Sequence, residues 1–144
     1  MPRRLAIAGL AAVAAVLVNL ILYGIGRAAG GTFRFTASGE AAEVNAATVA
    51  GFSAGPLLLG LAAVALLLPV GGWVPKTALV VGPLLAVVTV PLMTLPADFD
   101  ATSKVILALC HLALVPITIA AVRAMAGEPR SLVVQDLGDG RSGG

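Results

Sequence analysis

His111 is the only histidine in the chain, and with Cys110 beside it the only titratable group well inside an apolar segment. An ionisable side chain at such depth in a membrane segment is by default a functional group. Three roles are open to it: neutral structural glue donating one hydrogen bond to a neighbouring helix, a ligand-binding or proton-handling group, or an axial haem ligand. Asn19, Ser53 and Thr89 also lie within apolar segments. Counted inward from the segment ends at 1.5 Å per residue, all four sit roughly 10 Å below the same face of a bilayer. Each segment thus contributes one member to a polar layer, and the layer is the candidate site. Asn19 and His111 are expected to lie within hydrogen-bonding reach of each other, or to share a water or a ligand atom.

No catalytic residues are assigned. The sequence has no Asp/Glu/His dyad, no phosphate-binding glycine loop and no CxxC pair, and a lone histidine without carboxylates at ligand spacing makes no metal site. One cysteine rules out an intrachain disulfide or thiolate cage. No cofactor is expected.

Four apolar elements must position these residues. The chain has 144 residues, 59% apolar and 11% charged, with a mean hydropathy of +1.04. A soluble domain needs more polar surface than that. Four stretches, about 5–26, 46–70, 77–95 and 104–125, each match the roughly 20 residues that cross a hydrocarbon core of ~30 Å. The expected fold is all-α, a polytopic membrane protein built as an antiparallel four-helix transmembrane bundle over residues 1–126. The polar, glycine-rich stretch 127–144 reads as a flexible cytoplasmic tail. Arg3-Arg4 before the first stretch has the order of a secretory signal, but the apolar run exceeds a signal core of ~7–15 residues, which favours an uncleaved helix.

Small residues at a spacing of four mark packing ridges: Ala11 and Ala15 in the first span, Gly51 and Gly55 in the second, Gly82 and Ala86 in the third. They are expected to pack the helices together, with the glycine ridge of span two as an alternative dimer surface. Pro56 should kink span two, and Pro83 with Pro91 should make span three the least regular. The short connection Gly71–Lys76 implies that spans two and three are antiparallel neighbours. Thr102 or Ser103 should cap span four. The outer loop 28–45 is long for a connection. Thr32-Phe33-Arg34-Phe35-Thr36 alternates with period two, so a short strand or an extended interfacial piece is expected, packed over the bundle with Phe33 or Phe35 inward.

The formal charge of +2 and pI near 9.2 do not indicate nucleic acid, because the basic residues flank spans instead of forming a stripe. An inside N-terminus places Arg3, Arg4, Lys76, Arg123, Arg130 and Arg141 in the cytoplasm against Arg27, Arg34 and Lys104 outside. Six against three favours both termini cytoplasmic.

Asn19, the glycine-rich start of span two and the segment Leu109-Cys110-His111-Leu112-Ala113 resemble a family of small four-helix actinobacterial membrane proteins classed as a domain of unknown function. The resemblance covers about 5–122 and implies a four-span fold in a bacterial plasma membrane, with no activity or established site. Two roles follow. The first is a non-enzymatic accessory or structural component of the envelope, or of a larger membrane complex, whose partners are membrane lipids and either a membrane protein or further copies of itself. The alternative is a small binder or carrier of an apolar ligand, a lipid or quinone, using the polar layer. A cavity reaching that layer discriminates between them.

Overall fold

The computed structural model describes residues 1–127, so the expected tail beyond Gly127 lies outside the described residues. Helix α1 spans Pro2–Ala28, with proline in its first turn where a missing N–H costs nothing. A β-hairpin follows, β1 Arg34–Ala37 and β2 Glu40–Glu43, antiparallel with Ala37 opposite Glu40. Its turn residues, Ser38 and Gly39, have φ of 53° and 85°. That pair of left-handed residues is what a two-residue hairpin turn with the twist of its strands requires. Helix α2, Ala46–Leu67, is capped by the Asn45 carboxamide, which accepts from the Thr48 N–H at 2.9 Å. A 3-10 turn, Leu68–Val70, and Gly71-Gly72 lead to α3, Trp73–Thr89, which runs into a π turn over Val90–Thr94. Helix α4 spans Ala101–Ala126.

The four helical stretches are each long and apolar enough to cross a membrane, and they make an all-α bundle in which the two-stranded sheet is minor. Span three is the irregular one: Pro91 lies second in the π turn and the Leu95 N–H reaches back five residues to the Val90 carbonyl. The cap of α4 is neither Thr102 nor Ser103 but Asp100, whose carboxylate accepts from the Ser103 N–H at 2.8 Å and the Ser103 hydroxyl at 2.7 Å. A carboxylate outcompetes a hydroxyl there because it accepts twice and complements the positive helix end.

Around the bundle the helices run α2, α1, α4, α3. Helix α1 packs closely on α2 and α4, and α3 on α4, whereas α2 and α3 touch little despite their short connection. The short connection leaves these neighbours loosely packed: the turn and the two glycines let the helices splay, and α3 is held by α4. At the end of the bundle carrying the N-terminus, Ala8, Ala11 and Ala15 of α1 receive Leu57 and Leu61 of α2 and Val122 and Met125 of α4.

The expected ridge residues are buried on α1 and exposed on α2. Ala15 is fully buried and Ala11 nearly so. Gly51 and Gly55 face outward, and a Cβ added at either would meet nothing within 4 Å. The buried ridge of α2 is Val49, Ser53, Leu57, Leu61 and Ala65, about 200° around the helix from the glycines. An alanine surface is filled by leucines; a second small surface would leave voids. On α3, Gly82 does mark a close approach, since a Cβ there would lie 2.8 Å from the Thr118 methyl of α4. Ala86 lies half-buried on the same helix.

Candidate functional site

The splay of α2 from α3 leaves a cavity of about 790 Å³. Its walls come from α2, α3 and α4, and Asn19 is the one α1 residue on them. From Thr48 to Val64 it follows α2 for about 24 Å, most of a ~30 Å hydrocarbon core. Phe35, Ala42, Glu43 and Val44 of the hairpin line its end. Phe52 and Gly60 on α2 and Val81 and Leu85 on α3 line it and are also exposed, so they form a rim where the two helices part.

All four residues of the expected polar layer line this cavity, so the structure brings them to one chamber. They do not pair as expected. Asn19, 3% exposed, donates through Nδ2 to the Ser53 hydroxyl at 2.7 Å, and Ser53 donates to the Val49 carbonyl at 2.7 Å. His111 turns back on its own helix, with Nδ1 2.7 Å from the Leu107 carbonyl. Thr89 likewise donates to the Leu85 carbonyl. The expected direct bond between Asn19 and His111 is therefore absent from the described hydrogen bonds. Ser53, Thr89 and His111 each take the i−4 carbonyl of their own helix as the nearest acceptor in lipid, and Asn19 alone reaches across to another helix. The neighbour of Asn19 on α4 is instead Cys110, whose thiol points to the Asn19 carbonyl at 3.9 Å. Sequence reading gave Cys110 no part in the layer because adjacent residues sit 100° apart, and the rotation of α4 was unknown.

One atom of the cluster stands apart. Asn19 Oδ1 is buried without a hydrogen-bond partner among the described residues. Its assignment follows from chemistry: the Val49 carbonyl can only accept, so the single Ser53 proton goes to it, and Asn19 must present its NH₂ to Ser53. A buried acceptor left unmade costs about 1–3 kcal/mol, which is why such atoms are rare.

The hairpin is held over the cavity by carboxylates. Asp98 accepts from the Thr36 hydroxyl and N–H, each at 2.7 Å. Asp100 accepts from the Thr32 hydroxyl at 2.7 Å and N–H at 2.9 Å, besides capping α4. The Thr36 hydroxyl holds the Asp98 carboxyl below its ordinary value; the Ser103 hydroxyl and N–H, then Thr32, hold Asp100 well below the usual carboxylate range. Glu43 pairs with Arg27 at 3.2 Å and Arg34 at 3.6 Å. Phe33 is fully buried at φ 56°, its ring against Tyr23 and so close to Gly26 that a Cβ there would lie 2.7 Å from it. Its N–H donates to the Ser103 hydroxyl at 2.9 Å. Phe35 packs its ring at a tilt against Phe99, with centroids 4.8 Å apart.

Among the described residues no three His, Cys, Asp or Glu side chains gather where a metal ion could sit. Comparison with curated proteins and with solved structures finds no match. The family model described as Family of unknown function (DUF6069) matches residues 1–128, and a four-helix chain matched over nearly all its length belongs to that family.

Proposed function

We propose that this protein is a non-enzymatic membrane protein that binds an apolar, lipid-like ligand in the chamber between α2, α3 and α4. Of the two roles left open by the sequence, structural component and ligand binder, the second draws support from a single observation: the cavity of about 790 Å³ that reaches Asn19, Ser53, Thr89 and His111. A bundle serving only as scaffold gains dispersion energy by closing such a space, whereas ligand sites are apolar clefts of ~300–1,000 Å³ with a few polar groups. The rim between α2 and α3 gives the ligand a lateral path from the bilayer. The membrane is a bacterial plasma membrane, as the family resemblance implies, with both termini cytoplasmic and the hairpin outside, on the count of six Lys and Arg against three.

Gly60 supplies the test. It lines the cavity at its exposed rim, and a Cβ there meets no atom within 4 Å, so Gly60→Phe sets a ring at the mouth between α2 and α3 without disturbing the helices. Native mass spectrometry of the protein in mild detergent should show a retained lipid-sized adduct, and Gly60→Phe should lose it at unchanged melting temperature. An adduct equally abundant in both proteins, or none in either, would refute the reading.

A further inference from the structure

The chemistry of the polar cluster narrows the ligand class, an inference that rests on reading the chamber as a ligand site. The Ser53 and Thr89 protons are committed to the carbonyls of Val49 and Leu85. The Leu107 carbonyl can only accept, so His111 donates to it through Nδ1–H, and in the tautomer that bond selects Nε2 is an acceptor. Asn19 is 97% buried, lines the cavity, and keeps Oδ1 unpartnered among the described residues. Both groups on offer, Asn19 Oδ1 and His111 Nε2, therefore lack a proton. The hydroxyls of Thr94 and Thr118, nearer the two ends of the chamber, can rotate to either role and do not discriminate.

We propose that the chamber selects a lipid whose head is a neutral hydrogen-bond donor, a free hydroxyl, which donates to Asn19 Oδ1 while the chain fills the apolar length along α2. A head that only accepts, such as an ether, a ketone or a carboxylate, meets acceptor against acceptor. An acidic head is disfavoured further because no cation lines the cavity among the described residues.

The probes are hexadecanol, its methyl ether and hexadecanoate, matched in chain length, each added to the full chain in lipid nanodiscs at pH 8. Occupancy is read by native mass spectrometry. One hydrogen bond distinguishes alcohol from ether, so the alcohol should bind about threefold to tenfold more tightly. Asn19→Leu, which removes Oδ1, should bring the alcohol down to the ether and leave ether binding unchanged, and the unchanged ether reports that the variant's chamber is intact. If Asn19→Leu fails to fold, the wild-type ratio alone decides. Alcohol and ether binding alike, as they would if a trapped water satisfied Oδ1, overturns the head-group inference but leaves the ligand site standing. Hexadecanoate binding as tightly as the alcohol also overturns it. Binding of no probe, with no native adduct, overturns the ligand site itself.

Discussion

Replacing Phe33 tests how the hairpin is fastened. The ring is fully buried between Tyr23, Gly26 and Ile106, and its backbone sits at φ 56°, where a Cβ is strained. Phe→Ala at a buried site costs about 3–5 kcal/mol, whereas the left-handed backbone strain of about 1–2 kcal/mol is borne by Phe and Ala alike and relieved in Gly. Phe33→Ala should therefore open the hairpin by roughly two to three and a half powers of ten, and Phe33→Gly should be the less damaging by about 1 kcal/mol. The assay is amide hydrogen exchange at Phe33, whose N–H donates to Ser103, and at Val44, whose N–H donates to the Phe33 carbonyl at 2.9 Å. Exchange unchanged in Phe33→Ala would mean that the ring does not hold the hairpin. Phe33→Gly exchanging faster than Phe33→Ala would mean that the positive φ is not a source of strain.

Gly82→Leu should destabilise the bundle by about 1–3 kcal/mol in a detergent melt, because its Cβ falls 2.8 Å from the Thr118 methyl. Gly51→Leu and Gly55→Leu, which meet open space, should stay within about ±0.5 kcal/mol, and a large loss at either would restore the glycine ridge as a packing surface. Asp98 and Asp100 titrate below their ordinary value of 3.8 in the folded protein, so their contribution to hairpin docking is fully present above about pH 4 and is lost as pH falls through the lower folded values. Thr32 and Thr36 amides should accordingly exchange faster in acid than the general pH trend, and Asp98→Ala with Asp100→Ala should abolish that excess. For topology, cysteine introduced at Glu40 should react with an impermeant reagent on intact cells and cysteine at Gly72 should not; the reverse pattern would invert the proposed orientation.

Much of this molecule is fixed by composition and by the single period of the helix. Four apolar stretches of bilayer length can only become spanning helices, since lipid leaves no other way to satisfy the backbone. Depth follows from residue counting, so a shared layer for Asn19, Ser53, Thr89 and His111 was legible, and the cavity that all four line was not. Rotation was not. Whether α2 turns its glycines or its Val49–Ser53–Leu57 ridge inward depends on what α1 presents, and the alanines of α1 take leucines. Asp100 caps α4 through its local bonds to Ser103, and only the fold brings Thr32, 68 residues away, to the same carboxylate. The site itself is a gap, produced by α3 docking on α4 and not on α2. A gap is a property of how elements fail to touch, which no local pattern encodes; only the assembled bundle decides where its apolar surface is left without a partner.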